Sequence, residues 1–174
     1  VRESEWDARH FWRVSNAEHL AMSEDCGIVN LSHFAVYDVE GPDHVALMEW
    51  LCAAKIGGDA NIGKGIYTHF LDDEGMVRAD FTAFRMADRI RMVNGADAGP
   101  RDYHYMRRVA QDKGFDVTIT DVAEKFVTIG IWGPNARVNL AKVVEDPDGL
   151  SKENFPFAAI KPVRIAGKDV SAFR

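Results

Sequence analysis

An aspartate, Asp80, stands in the middle of residues 76–86, a segment whose apolar and polar alternation predicts a β-strand. Successive side chains of a strand face opposite sides of the sheet. The first face is small and apolar, as a core requires, and comprises Val77, Ala79, Phe81 and Ala83. The second face carries the carboxylate of Asp80 together with Arg78, Thr82 and Phe84. Aspartate is disfavoured within strands, and burying a carboxylate without a partner is costly, so this placement requires an explanation.

Two roles for Asp80 fit this spacing. In the structural role, Asp80 pairs with Arg78, two residues away on the same face of a solvated sheet. In the functional role, a rigid strand holds the carboxylate where it orients or deprotonates a ligand. The spacing of the residues does not decide between the two roles.

The strand that carries Asp80 is predicted to lie between two others. Residues 65–71, 76–86 and 89–94 each have strand character, and short polar turns at 72–75 and 87–88 join them. Connections this short make antiparallel neighbours. We therefore expect a meander of three strands around Asp80.

Helices are predicted on either side of this meander. Ser15 and Glu18 form a capping box that predicts a helix start at Ser15, and Gly27 is expected to end that helix. Pro42 suits the first position of a second helix, and residues 100–113 predict a third, with Gly114 after it. Further strands are expected at 28–40, interrupted near Ser32, and at 117–120, 126–132, 157–159, 163–165 and 170–173. Antiparallel strands with flanking helices indicate the α+β class rather than a doubly wound parallel sheet.

One local pattern occurs twice. A strand, a Gly-Pro-Asx turn and a helix are predicted around Gly41-Pro42-Asp43 and again around Gly133-Pro134-Asn135, with Val138, Leu140 and Val144 in the second helix. An internal pseudo-repeat and chance reuse of a common turn explain the pattern equally well.

Composition excludes several classes of protein. The 174 residues carry a net charge of -6 with acidic and basic residues interspersed, which argues against a nucleic-acid surface. No apolar run is long enough to span a bilayer, and residues 1–7 are too charged for a secretory signal. Cys26 and Cys52 form no Cys-x-x-Cys motif, which favours a reducing compartment. We expect a cytoplasmic protein, although a mitochondrial matrix protein without its transit peptide has the same features.

Three other patterns in the sequence do not predict a site. Residues 58–65 nearly match a phosphate-binding loop but lack its final hydroxyl, and a strand is predicted after them. Ser32 and His33 are adjacent on a strand and face opposite sides, so they cannot form a nucleophile-base pair. The six histidines are dispersed without the spacing of metal ligands, so no metal site is predicted.

The order of short motifs along the chain resembles one family. Three segments resemble glycine-cleavage aminomethyltransferases and the folate domains of dimethylglycine and sarcosine dehydrogenases: Gly65-Ile66-Tyr67-Thr68, residues 75–82 and Met92-Val93-Asn94. Flanking pieces that agree with this resemblance lie at 30–33, 39–43, 132–136, 155–157 and 165–167. Two positions depart from the family's pattern. Gly75-Met76 stands where the family usually has Gly-Gly, and Ala79-Asp80 stands where the glycine-cleavage branch has Asp-Asp. Because Asp80-Phe81-Thr82 keeps one aspartate followed two residues later by threonine, the dehydrogenase-linked branch is nearer.

The resemblance implies roles for individual residues. The aspartate aligned with Asp80 lies beside the N5 and N10 nitrogens of tetrahydrofolate and is the principal catalytic residue of the family. Residues aligned with Tyr67 and Asn94 line the folate pocket, and Phe84 stands where a folate-contacting tyrosine often occurs. Thr82, in the same motif as Asp80, is also expected to bind the cofactor. Two of these positions have structural alternatives, because Tyr67 fits a core aromatic and Asn94-Gly95 fits a turn.

The resemblance also implies an activity and indicates which part of the family's domain these residues form. We expect tetrahydrofolate-dependent transfer of a one-carbon group from a small methylated donor or its iminium, with a flavin-dependent oxidase or dehydrogenase as a fused or associated partner. The alternative is a folate-binding regulatory or assembly protein that performs no transfer. Residues 1–174 are expected to be the N-terminal part of the folate-binding domain, with a sub-boundary near 145–153. The family's next motif, Tyr-x-Gly-Glu, is expected after Arg174, where the sequence ends inside a predicted strand.

Overall fold

The structure is a computed structural model that describes residues 11–174. Residues 1–7, whose charges argue against a secretory signal, lie outside the described residues. The helices are α1 Trp12–Glu24, α2 His44–Leu51, α3 Gly99–Lys113 and α4 Ala136–Leu140. The strands are β1 Gly27–Asn30, β2 Ala35–Glu40, β3 Lys64–Leu71, β4 Val77–Arg85, β5 Arg89–Asn94, β6 Thr118–Asp121, β7 Ile129–Trp132, β8 Ile160–Ile165 and β9 Lys168–Phe173.

The largest sheet has five strands in the order β3-β4-β5-β2-β6, and every neighbouring pair is antiparallel. The predicted α+β class and the predicted meander β3-β4-β5 are both confirmed. Two smaller antiparallel pairs, β1-β7 and β8-β9, complete the described strands. The sub-boundary near 145–153 stays a prediction.

The main core lies between this sheet and helices α2 and α3. Its buried side chains include Leu47, Met48, Phe70, Phe81 and Met106. Full burial of one such side chain stabilises the fold by about 1.5–3 kcal/mol. Helices α2 and α3 cover only one face of the sheet.

Several predicted boundaries were wrong. Helix α1 begins at Trp12, three residues before Ser15, and its N-cap residue Phe11 makes no side-chain capping bond, so the predicted capping box is not formed. Pro42 precedes α2, whose N-cap is Asp43. The strand predicted at 157–159 is absent, because Ala158 has a φ of 64°, a left-handed conformation that extended strands do not contain.

Two further predictions failed for tertiary reasons. Strand β7 begins at Ile129 rather than at residue 126, because a 3₁₀ turn occupies Ala123–Lys125 and Phe126 lies over the guanidinium of Arg91. Val144 lies beyond the end of α4 and forms an isolated bridge with Ile165. In each case a contact with a distant segment ends the local element.

The two Gly-Pro-Asx turns have the same structure. Gly41 and Gly133 have φ angles of 110° and 114°, which favour glycine. A Cβ at Gly41 would lie 2.7 Å from the carbonyl oxygen of Asp116, and a Cβ at Gly133 would likewise meet the carbonyl of Asp25. The Asx residues also match, because Asp43 and Asn135 donate backbone N–H bonds of 3.2 and 2.9 Å to these same carbonyls. The geometry therefore favours the pseudo-repeat over chance reuse of a turn.

A buried ion cluster joins β2 to β5. The carboxylate of Asp38, 3% exposed, accepts hydrogen bonds of 2.7 and 2.8 Å from Arg91 and one of 3.2 Å from Arg89. Burial alone would raise the pKa of Asp38, but the hydrogen bonds and charges of Arg91 and Arg89 outweigh it and lower the pKa. The cluster fixes Arg91 beside Phe84, its cross-strand partner on β4.

We expect Asp38→Ala to lower the free energy of unfolding at pH 7 by about 3–5 kcal/mol, because it leaves partly buried guanidinium groups without their carboxylate. Urea denaturation measures this loss, and Asp88→Ala, which removes an exposed partner of Arg89, is the control that should change stability little. The folded pKa of Asp38 is below its ordinary value of 3.8. Its contribution is therefore complete above that value and lost as the pH falls through the folded pKa. An equal difference between wild type and variant at pH 7 and in strong acid would contradict this account.

Candidate functional site

A β-bulge sets the geometry of the β3-β4 hairpin. His69 pairs with Asp80 and Phe70 pairs with Ala79, but Leu71 pairs with Val77, so Arg78 is an extra residue without a partner on β3. The bulge turns Val77 outward, where it is 64% exposed. Val77 was predicted to lie in the core and Arg78 on the face of Asp80. Both predictions were wrong, because strict alternation stops at the bulge.

The side chain of Arg78 lies away from Asp80. Its guanidinium carbon is 4.8 Å from the ring centroid of Tyr105, a residue of α3 on the helix side of the sheet. The predicted structural role of Asp80, an ion pair with Arg78, is therefore not formed. The carboxylate of Asp80 is exposed and accepts a 3.0 Å hydrogen bond from the hydroxyl of Tyr67.

Tyr67 projects from the same open face. Its side chain is 63% exposed, so the alternative of a core aromatic is wrong. The hydrogen bond to Asp80 is the main cause that raises the pKa of Tyr67, and partial desolvation and the negative charge of Asp80 act in the same direction. Because the donor is the phenol, the bond lasts only while Tyr67 is protonated.

Thr82 and Phe84 continue this face along β4. Thr82 is the cross-strand partner of Tyr67, and Phe84 is the partner of Gly65. The ring of Phe173 packs edge-on against Phe84 with 4.9 Å between ring centroids. A Cβ at Gly65 would lie 2.8 Å from Phe84 and would also meet Phe173, so the glycine leaves room for both rings. The two rings thus bound one end of the open face.

The open face ends toward β2. Val36 and Asp38 point to the same side of the sheet as Thr82 and Phe84, yet they are 4% and 3% exposed. The chain after β6 covers this side, because Phe126 lies 4.3 Å from the guanidinium carbon of Arg91. Around Asp80, the accessible part of this face therefore lies on β3 and β4.

Asn94 lies apart from the other predicted site residues. It points to the helix-covered face, is 4% exposed, and donates a 2.8 Å hydrogen bond from Nδ2 to Asp102. Its Oδ1 is buried without a hydrogen-bond partner. The structure thus brings together Tyr67, Asp80, Thr82 and Phe84, and it places Asn94 on the opposite side of the sheet. The oxygen of Asn94 is therefore enclosed on the helix side and has no contact with the surface around Asp80.

Sequence reasoning missed two neighbours of the site. His69 is the cross-strand partner of Asp80, and its ring contacts that of Tyr67 with 5.2 Å between centroids. The predicted pairing of the hairpin could have identified it. Asp102, 2% exposed, holds the amide of Asn94 from α3, and no local pattern connects these two residues.

The arrangement suits a nitrogen-containing aromatic ligand. An exposed carboxylate can accept a proton or stabilise a positive charge, and an exposed phenol ring beside it offers a face for stacking. Within residues 11–174 no helix has both the length and the apolar character needed to cross a membrane. In the same part of the chain, no three His, Cys, Asp or Glu side chains are grouped so as to hold a metal ion.

Comparison with known proteins gives a consistent picture. The sequence model of the family described as "GCVT N-terminal domain" matches residues 3–174. The aminomethyltransferase of Bordetella pertussis (strain Tohama I) is 30% identical over 155 residues, which cover 88% of this chain and 42% of that protein. Mitochondrial dimethylglycine dehydrogenase of Rattus norvegicus is 26% identical over 95% of this chain and 19% of its own length.

Two more similarities extend the comparison. The 4-methylaminobutanoate oxidase (formaldehyde-forming) of Paenarthrobacter nicotinovorans is 31% identical over 90% of this chain and 18% of its own length. The crystal structure of glycine cleavage system aminomethyltransferase T from Bartonella henselae superposes with a TM-score of 0.68 at 24% identity, covering 83% of this chain and 37% of that one. This likeness confirms the predicted fold. The chain spans about two fifths of the aminomethyltransferases and about one fifth of the dehydrogenase and the oxidase.

We expect Asp80→Asn to lower the pKa of Tyr67 toward its ordinary value of 10.0, because the variant removes the negative charge that the phenol faces. A titration of phenolate absorbance measures this change, and Tyr67→Phe identifies which of the four tyrosines is responsible. Burial raises the pKa of Tyr37 to about 12, which helps to separate its signal. Asp73→Asn, in the turn before β4, is the control that should leave the titration unchanged. A Tyr67 titration that does not respond to Asp80→Asn would contradict the contact.

Proposed function

Because the chain belongs to the family of GCVT N-terminal domains, we propose that it carries part of the folate site of an enzyme that transfers a one-carbon group to tetrahydrofolate. The donor is a small methylated amine or the iminium derived from it. The observation that carries the proposal is Asp80, an exposed carboxylate on a rigid strand beside the exposed ring of Tyr67. Tyr67 is its only hydrogen-bond partner among the described residues.

The residues present fit tetrahydrofolate. When bound, tetrahydrofolate supplies an amine nitrogen as the nucleophile. Asp80 can orient that amine, accept its proton and stabilise the positive charge that develops in the transition state. The hydroxyl of Tyr67 holds the carboxylate in place, and its ring offers a stacking surface. Thr82 and Phe84 extend this surface along β4.

Asn94, the other predicted folate contact, lies on the opposite side of the sheet from Asp80. Its Oδ1 is buried without a partner, and its Nδ2 donates to Asp102. It does not reach the face on which a ligand would meet Asp80, so we propose that it serves the folate site indirectly, by joining the end of β5 to α3 through Asp102.

The similarity to a dehydrogenase and an oxidase suggests a source for the donor. We propose that a fused or associated flavin-dependent enzyme oxidises an N-methylated amine to an iminium, which then reaches Asp80. We place the protein in the cytoplasm, or in the mitochondrial matrix as for the relative named mitochondrial. The alternative of a regulatory or assembly protein that binds folate without transfer has no observation in its favour.

We expect Asp80→Asn to reduce one-carbon transfer by about 10²–10⁴-fold, the usual contribution of a positioned acid-base group, while tetrahydrofolate binding and the fold are retained. Formation of methylenetetrahydrofolate, measured with a panel of N-methylated amines and the associated oxidase, reports transfer. Calorimetric titration with tetrahydrofolate reports binding, and Asp73→Asn is the matched surface control.

Three other results of these measurements would contradict different parts of the proposal. Unchanged turnover in Asp80→Asn would remove the carboxylate from the mechanism. Tight binding of tetrahydrofolate without consumption by the wild type would support a binding protein instead. Absence of binding in the wild type would reject a folate site.

A further inference from the structure

The bulge at Arg78 determines which charges surround Asp80. In a regular strand Arg78 and Asp80 would share one face two residues apart, within reach of an ion pair. A neighbouring cation stabilises a carboxylate and weakens it as a base. The bulge instead places the Arg78 guanidinium 4.8 Å from the ring centroid of Tyr105, on the helix side. Asp80 remains free to act on a ligand only while the bulge persists.

The bulge is held by an arginine of α3. A bulged residue is left out of the ladder of the strand pair, so its backbone groups need other partners. Nη2 of Arg101 donates a 2.6 Å hydrogen bond to the carbonyl oxygen of Arg78. A charged donor makes such a bond stronger than a neutral one does. Arg101 thus supplies the partner that β3 does not provide.

Arg101 is itself fixed by a buried chain of polar groups. Its Nε lies 3.0 Å from Oδ1 of Asp102, whose side chain is 2% exposed. The other oxygen of Asp102 accepts the 2.8 Å bond from Asn94 at the end of β5. Both oxygens of one buried carboxylate are therefore engaged. These hydrogen bonds link the strand that carries Asp80 to β5 through the first turn of α3.

Few other charges compete near Asp80. On β3 the titratable groups of this face are Tyr67, which donates to Asp80, and His69, its cross-strand partner. Arg91 on β5 is engaged by Asp38. Arg78 is thus the cation whose position the bulge decides.

We propose that Arg101 is a positioning residue for Asp80: by holding the bulge, it keeps the guanidinium of Arg78 on the helix side and away from the carboxylate. Without Arg101 the strand relaxes toward regular alternation, and Arg78 turns to the face of Asp80. The consequence for catalysis rests on the proposed function. The consequence for the charges around Tyr67 does not.

The test compares Arg101→Met, Arg78→Met and the double variant. Arg101→Met removes one of the two partners of the buried Asp102 and leaves Asn94 as the other, so urea denaturation first establishes that each variant is folded under the assay conditions. In Arg101→Met we expect the pKa of Tyr67 to fall, because a cation approaches the phenol and compensates the charge of Asp80. We expect turnover to fall roughly ten-fold, since the paired carboxylate is a weaker base. Arg107→Met, in the same helix with its guanidinium 5.5 Å from the ring of Tyr103, is the control and should change neither quantity.

Rescue distinguishes positioning from stability. Adding Arg78→Met to Arg101→Met removes the competing cation and should restore both the Tyr67 titration and the turnover, although the bulge has lost its partner. A loss of activity that Arg78→Met does not restore would overturn the inference. A Tyr67 titration that stays unchanged in Arg101→Met would also overturn it. If the wild type transfers no one-carbon group but the titrations follow this pattern, the proposed function fails and the positioning role stands.

Discussion

The pairing of β3 with β4 is the constraint on which the candidate site depends. Cross-strand register places His69 opposite Asp80 and Thr82 opposite Tyr67, so side chains far apart in sequence share one small surface. A slip of one residue would move each of them to the other face. The bulge at Arg78 confines that slip to the start of β4. Residues after it keep the alternation that buries Ala79, Phe81 and Ala83 and exposes Asp80.

The two faces of the five-stranded sheet are stabilised in different ways. On the helix side, apolar side chains of the strands pack against α2 and α3. On the other side, near β2, the buried Asp38 pairs with Arg91, and Phe126 covers the guanidinium. These interactions hold β5 and β2 in the sheet. Because β4 pairs with β5, the hairpin β3-β4 can present a polar face and still be supported by the rest of the sheet. A site on such a hairpin is held by strands rather than by a mobile loop.

Much of this arrangement could be predicted from sequence, for identifiable reasons. Short turns and period-two alternation predicted the antiparallel meander and the faces of Ala79, Phe81 and Asp80. The bulge could not be predicted, because it depends on Arg101 and Tyr105, which reach Arg78 from a helix some 25 residues away in sequence. The resemblance placed Asn94 in one pocket with Asp80, whereas the register of β4 with β5 puts it on the opposite face, where Asp102 holds it. Resemblance to a family supplied the candidate residues, and only the register and the packing showed which of them meet.

The repeated Gly-Pro-Asx turn suggests why the chain also contains a second, smaller cluster. After the first turn, Cys52 forms a bridge with Phe70 at the end of β3; after the second, Val144 forms a bridge with Ile165 at the end of β8. Hairpins β3-β4 and β8-β9 therefore follow equivalent turns and helices. The second hairpin buries Val144, Leu150 and Phe155, and its last strand brings Phe173 to the ring of Phe84. The first of these units thus carries Asp80, and the second supplies Phe173 to the ring of Phe84 on the same face. A side chain at Gly65, the cross-strand partner of Phe84, would meet both rings, so this contact between the two units requires the glycine.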